Sequence, residues 1–129
     1  MPEMTAKEVL QIARTAVSLG MTHIKLTGGE PLLRSDIVEI VHGLAVIPGL
    51  RDLSMTTNGT RLSVLANPLR QSGLMRVNIN LPSLDRETYS LMNGGDLSEV
   101  LDGVEAAVKA GLHPVKLNML VLRDLNPTD

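Results

Sequence analysis

The stretch Lys25-Leu26-Thr27-Gly28-Gly29-Glu30-Pro31-Leu32-Leu33-Arg34 holds the most distinctive chemistry in this chain. An apolar, strand-like approach runs into paired glycines with a carboxylate beside them. Glycine has no Cβ, so its backbone reaches φ > 0 and lets a ligand come close. Two successive N–H groups there suit a carboxylate, and Glu30 suits an ammonium group. Together they describe a pocket for a zwitterion, such as the amino-acid end of a cofactor. A turn that binds nothing has the same local composition.

Three more polar clusters share this character. Thr56-Thr57-Asn58-Gly59 follows a second apolar run. It reads either as a turn into a helix, with Asn-Gly supplying φ > 0 and a hydroxyl as cap, or as Thr56 and Asn58 facing a cleft. Asn78 and Asn80 are two residues apart, so on a strand they share a face. Buried amides need partners, which neighbouring strands or a ligand could supply. Lys116 and Asn118 repeat the spacing. An inward Lys116 needs an anion to offset desolvation, whereas an outward one is simply solvated. Lys25 shares parity with Thr27, and inward lysines at 25 and 116 would suit a triphosphate. Arg34 reads as a solvated residue at a helix start. The chain shows no Ser/His/Asp or Cys/His nucleophile set and no P-loop.

Composition narrows the classes. The 129 residues make one domain or part of one. An apolar fraction of 43% supports a real core, and with Tyr89 the only aromatic residue, Leu, Val, Ile and Met must fill it. The seven methionines read as gap-fillers. A net charge of −2 argues against a general nucleic-acid grip, though a few cations in a cleft suffice for a small phosphate ligand. No apolar run reaches membrane-spanning length and no signal-peptide pattern occurs, so the chain reads as cytosolic. Zero cysteines exclude disulfides and any cysteine-ligated zinc or iron–sulfur site within it. His23, His42 and His113 are far apart and read as ordinary surface or loop residues.

Helix and strand alternate four times. Thr5 and Glu8 form a capping box before an apolar stripe of Val9, Ala13, Ala16 and Val17. Gly20 ends that helix, and 22–27 reads as a strand. Asp36 with Glu39 starts a second helix, ended by Pro48-Gly49. The second strand covers 52–57. The third helix runs from about Leu62 to Gln71, with a break or late start expected at Pro68. The third strand covers 75–81, and a short helix covers 85–92. Asp96 and Glu99 form a capping box for the last helix, which ends at Gly111. The fourth strand covers 114–122, and Asn126-Pro127 closes the piece. The strands read as apolar on both faces, as in a helix-covered parallel sheet. An open doubly wound sheet and a segment of a (β/α) barrel both fit. In either, ligands gather at the C-terminal ends of strands, where these polar clusters lie.

The Thr27–Arg34 element, Thr56-Thr57-Asn58-Gly59, Arg76-Val77-Asn78-Ile79-Asn80-Leu81 and Gly111-Leu112-His113-Pro114-Val115-Lys116-Leu117-Asn118, in that order, resemble one radical S-adenosylmethionine (SAM) family. It is the GTP 3',8-cyclase (MoaA) family of molybdenum cofactor biosynthesis. The resemblance runs from about Thr5 to Asp129. Many radical SAM enzymes share the Gly-Gly-Glu-Pro element, whereas the ordered set is more specific. It implies an α/β fold: the middle of a partial (β/α)6 TIM-like barrel, with four parallel strands and helices outside. It also implies SAM and [4Fe-4S] clusters as cofactors and GTP as substrate. A 5'-deoxyadenosyl radical would take the C3' hydrogen of GTP, and ring closure onto C8 would give 3',8-cyclo-7,8-dihydro-GTP. By motif position Gly28, Gly29, Glu30 and Asn80 would contact SAM, and Lys25, Thr56 and Lys116 would contact GTP. A homodimer and a downstream cyclic pyranopterin monophosphate synthase are the implied partners.

This chain departs from the family at several positions. Lys25 stands where the family usually has Arg, which keeps the charge but loses the bidentate fork. Asn80 stands where Ser is usual. Pro82 replaces a common Asp, removing a carboxylate and an N–H. The family's cluster cysteines lie upstream and downstream of the matched stretch. The expectation is therefore an internal piece of a radical SAM core, residues 1–129, without the cluster-binding loop or the C-terminal domain. Alone it would expose two sheet edges and be inactive. The alternatives are another radical SAM enzyme acting on a peptide or small molecule, and a non-catalytic nucleotide-binding α/β module or scaffold.

Overall fold

The computed structural model describes residues 4–119. In chain order they form α1 (Ala6–Ser18), β1 (His23–Leu26), a single 3-10 turn (Pro31–Leu33), α2 (Ile37–Ala45), β2 (Asp52–Thr57), α3 (Leu62–Ser72), β3 (Arg76–Asn80), α4 (Arg86–Asn93), α5 (Leu97–Ala110) and β4 (Val115–Asn118). The expected strand residues 120–122 and the Asn126-Pro127 ending lie outside the described residues.

The four strands lie in the order β1-β2-β3-β4, and every neighbouring pair is parallel. An open doubly wound sheet reverses its strand order at a switch point and carries helices on both faces. Here the order follows the chain, and successive helices contact one another: α1 with α2, α2 with α3, α3 with α5. Helices ranked along one face of a sequentially ordered parallel sheet are the arrangement of a barrel wall.

The two faces of the sheet differ, contrary to the expectation of strands apolar on both sides. Leu53 and Met55 of β2 and Val77 and Ile79 of β3 are buried in the core with Val41 and Leu44 of α2, Leu62 and Leu69 of α3, and Val100 and Ala107 of α5. The alternate positions Lys25, Ser54, Thr56, Arg76, Asn78, Asn80, Lys116 and Asn118 carry polar groups on the opposite, concave face. Apolar burial therefore holds helices to one side, and the other side is left for chemistry.

Local rules explain most of the boundaries. The Glu8 N–H donates to Thr5 Oγ1 at 3.1 Å, and the Thr5 hydroxyl donates to Glu8 Oε1 at 3.2 Å, closing the start of α1. Asp85 caps α4 by accepting from the Thr88 N–H and hydroxyl at 2.9 and 2.8 Å. Asp96 accepts from the Ser98 N–H at 3.0 Å, so its cap closes one residue earlier than a box with Glu99 would. Asp36 makes no side-chain cap. Its carboxylate is taken by Arg34 through Nε at 2.8 Å and Nη2 at 3.0 Å, and Arg34 also donates to the Met4 carbonyl at 2.7 Å. Arg34 is thus a structural clasp, not a solvated helix start. Helix α3 continues through Pro68 without the expected break. The carbonyl that loses its donor is that of Val64, whose side chain is solvent-exposed, so water can satisfy it.

Candidate functional site

Glu30 sits at the mouth of the sheet, ahead of the 3-10 turn. Its Oε2 accepts from the Leu32 N–H at 3.1 Å and from the Thr57 hydroxyl at 2.6 Å, and its Oε1 accepts from the Asn58 N–H at 2.8 Å. A carboxylate offers about four acceptor positions, so one remains, on Oε1. Sequence reasoning missed this tether, and in particular Thr57. Thr57 is buried and accepts from the Gly59 N–H at 3.1 Å, which closes the turn after β2; α3, which starts after Arg61, has no side-chain cap, so the expected hydroxyl cap does not form. Asn58 Oδ1 accepts from the Thr60 N–H and hydroxyl at 3.0 and 2.9 Å, which commits that oxygen to the turn.

Gly28 has φ +111°, a conformation that L side chains rarely adopt. A Cβ on Gly28 or Gly29 would meet no atom within 4 Å, so the space above both is open. Neither N–H donates to another described residue. A hollow of about 390 Å³ opens beside Gly29 but is not lined by Gly28; Lys25, Thr27, Gly29, Glu30 and Arg34 line it, with Leu26, Ile37 and Ile40 on its apolar wall. Two free N–H groups and one open carboxylate acceptor fit the carboxylate and ammonium of an amino-acid ligand.

The strand register places the remaining candidates. Lys25 is level with Ser54, and Ser54 with Arg76. Thr56 is level with Asn78, and Asn78 with Lys116, while Asn80 is level with Asn118. By strand alternation Lys25, Thr56, Asn80 and Lys116 therefore share the concave face, on four different strands. Lys25, Asn80 and Lys116 are exposed there and Thr56 is half-buried. Thr56, Asn80 and Lys116 do not line the hollow beside Glu30; they stand further across the sheet. With strands about 4.8 Å apart, the lysine-bearing edges are about 14 Å apart along the sheet. The two lysines thus stand on opposite edge strands of the face.

Lower on the same face, Arg76 grips Asp52 through Nη2–Oδ2 at 2.7 Å and Nε–Oδ1 at 2.9 Å. The Arg76 hydrogen bonds hold the Asp52 carboxyl below the usual carboxylate range. Sequence reasoning missed this pair as well. The available signal was parity, since Asp52 opens β2 and Arg76 opens β3 on the sides that carry Thr56 and Asn78. Between them Ser54 Oγ is buried with no hydrogen-bond partner.

No group of three or more His, Cys, Asp or Glu side chains suited to a metal ion occurs among the described residues, and the sequence contains no cysteine. A [4Fe-4S] cluster therefore does not fit the residues of this chain, whereas the methionyl end of SAM fits the Gly28–Glu30 turn. Among the described residues no helix is long and apolar enough to cross a membrane.

A one-sided, sequentially ordered parallel sheet with a Gly-Gly-Glu turn at the mouth of its first strand defines a barrel-type cofactor-binding domain. The family model described as the radical SAM superfamily matches residues 1–129, and the chain belongs to that superfamily. It is 52% identical over 125 residues to a protein of Thermococcus kodakarensis named probable GTP 3',8-cyclase, covering 96% of this chain and 40% of that one. It is 48% identical over 126 residues to a Methanocella arvoryzae protein of the same name, covering 96% and 40%. To the GTP 3',8-cyclase of Marinobacter nauticus it is 47% identical over 124 residues, covering 95% and 37%. The chain thus spans about 40% of the length of these relatives. In fold it is similar to the crystal structure of HydG, a maturase of the [FeFe]-hydrogenase, with TM-score 0.73 and 17% identity over 92% of this chain and 29% of that one. The radical SAM assignment carries SAM and an iron–sulfur cluster as the superfamily's cofactors, and the thiolates for the cluster are not in this chain.

Proposed function

We propose that this chain is the SAM- and GTP-contacting part of a GTP 3',8-cyclase, the enzyme that forms 3',8-cyclo-7,8-dihydro-GTP as the first step of molybdenum cofactor biosynthesis. The observation that carries this reading is that Lys25, Thr56, Asn80 and Lys116, on four different strands, share one face of the sheet. Similarity to proteins named for that activity supports it. SAM held here would supply, once reduced by one electron from a cluster held elsewhere in the complete enzyme, the 5'-deoxyadenosyl radical that takes hydrogen from the ribose C3' of GTP.

The residues of this chain bind and orient. The free N–H groups of Gly28 and Gly29 hold the methionyl carboxylate, and the open acceptor on Glu30 Oε1 holds the ammonium group. Asn80, at the exit of β3, lies against SAM with a donor and an acceptor where the family usually has a hydroxyl. Lys25 and Lys116 hold GTP oxygens from the two edges of the face, and Thr56 contacts it between them. Such fixed placement of two reactants is where a protein scaffold contributes most to a cofactor's chemistry. The cluster, the C-terminal domain, the homodimer, the cytoplasmic setting and the downstream cyclic pyranopterin monophosphate synthase belong to the complete enzyme. The 129-residue chain, without thiolates, neither assembles a cluster nor cyclises GTP.

Calorimetric titration with SAM and GTP, together with anaerobic iron–sulfur reconstitution, tests the proposal. The expected outcome is binding of both ligands with no cluster absorbance. Glu30→Gln should weaken SAM about ten- to a hundredfold, the range of one charge-assisted hydrogen bond, and spare GTP. Lys116→Ala should do the reverse. A folded chain that binds neither ligand overturns the proposal.

A further inference from the structure

We infer that Thr57 is a positioning residue for the α-amino group of the bound ligand, acting through Glu30 without touching the ligand itself. The inference rests on the reading that an amino-acid-bearing cofactor occupies the Gly28–Glu30 turn. Thr57 shares strand parity with Leu53 and Met55, so its side chain lies on the helix-facing side of β2 and is almost wholly buried, at 1% exposure. A hydroxyl has one proton to donate and lone pairs to accept. The proton goes to Glu30 Oε2 at 2.6 Å, and a lone pair takes the Gly59 N–H at 3.1 Å.

This commitment fixes the role of each carboxylate oxygen. Oε2 is filled by Thr57 and Leu32, whereas Oε1 receives only Asn58 and keeps one acceptor position. The ammonium group must therefore meet Oε1. The terminal torsion of a glutamate is broad and nearly two-fold, so nothing intrinsic prevents the carboxylate from rotating. Three donors from two separate segments prevent it, and the Thr57 bond is the shortest of them. Removing that hydroxyl has two opposed effects. The carboxylate, with one donor fewer, becomes a stronger acceptor, but it also loses its tightest restraint. The second effect dominates, because the Leu32 and Asn58 N–H groups still neutralise part of the charge while neither alone fixes the plane.

The test uses the 129-residue chain with two probes, S-adenosylhomocysteine and its deamino analogue, which keeps the carboxylate and lacks the amine. Thr57→Val, close in shape, should weaken S-adenosylhomocysteine about tenfold and leave the deamino analogue within about twofold of the unaltered chain. Thr57→Ser, which keeps the hydroxyl, should restore the amine-bearing ligand. Should Thr57→Val fail to fold, the same comparison is made between Thr57→Ala and Thr57→Ser. Equal loss of both probes would identify Thr57 as a purely structural residue and overturn the inference, as would no loss of either. An unaltered chain that binds neither probe overturns the cofactor reading itself and this inference with it.

Discussion

Gly43 and Gly103 both lie inside helices, and replacing each with alanine should have opposite consequences. In a helix interior, alanine is favoured over glycine by about 1 kcal/mol. Space decides the rest. A Cβ on Gly43 would meet Leu10 Cδ2 at 2.7 Å and Cδ1 at 2.9 Å, the far end of a flexible side chain. A Cβ on Gly103 would meet the Gly59 carbonyl oxygen at 2.2 Å and Leu62 Cβ at 3.1 Å. Real Cβ contacts do not fall below 3.0 Å, so α5 would have to retreat by about 0.8 Å from a backbone turn that cannot yield. Overpacking of a well-filled core costs about 1–3 kcal/mol, and rigid backbone puts Gly103 at or beyond the upper end. Set against the propensity gain, Gly103→Ala should destabilise by about 2 kcal/mol. With about 2.1 cal/mol/K of unfolding entropy per residue, a chain of 129 residues loses about 7 °C in Tm for that change. Gly43→Ala should leave Tm unchanged or raise it by a few degrees. Differential scanning calorimetry of the two variants beside the unaltered chain measures both. A Gly103→Ala variant as stable as the Gly43→Ala variant would refute the close packing of α5 on the β2–α3 turn.

Two other outcomes follow from the geometry. Pro68→Ala restores an N–H that can bond the Val64 carbonyl, and the gain in helix propensity exceeds the roughly 0.4–1 kcal/mol lost by freeing the unfolded chain, so the urea midpoint should rise by an amount corresponding to about 1–2 kcal/mol. Asp52 has its folded pKa lowered by the Arg76 hydrogen bonds, so its contribution is present above the unfolded carboxyl value of about 3.9 and is lost as pH falls through the lower folded value. Asp52→Asn should therefore flatten the fall in stability below about pH 4, read as urea midpoints across that range. An unchanged acid profile would remove the pair from the account.

Much of the scaffold was legible because it rests on periodicity and local stereochemistry. Asp52–Thr57 forms the strand its composition indicates, and Thr5 caps its helix as its spacing predicts. The shared face of Lys25, Thr56, Asn80 and Lys116 was likewise within reach, since alternation fixes parity once strands are aligned. What could not be read were choices between partners distant in sequence. Asp36 has the type and position of a cap, yet the Arg34 guanidinium wins its carboxylate with two charge-assisted bonds. Pro68 breaks helices by rule, yet here the orphaned carbonyl faces solvent and the packing of Leu62, Ala66 and Leu69 carries the helix through. Glu30 reads as a free ligand-binding group, yet donors 27 and 28 residues away take two of its acceptor positions.

Those partners also explain why a polar turn can serve as a precise site. Exposed Gly-Gly turns are ordinarily soft, and a Cβ on Gly28 or Gly29 would meet nothing within 4 Å. Restraint from the core reaches the Glu30 carboxylate beside them in steps. Helix α5 lies against the Gly59 carbonyl because Gly103 lacks a Cβ, and Gly59 in turn packs its backbone against Ile79 and Val100. The Gly59 N–H is bonded to Thr57, and Thr57 to Glu30. Each link is buried or half-buried, and one acceptor position on Glu30 Oε1 is left open. The apolar side of the sheet thus fixes the position of a carboxylate on its polar rim, while the two glycine amides remain free for a ligand.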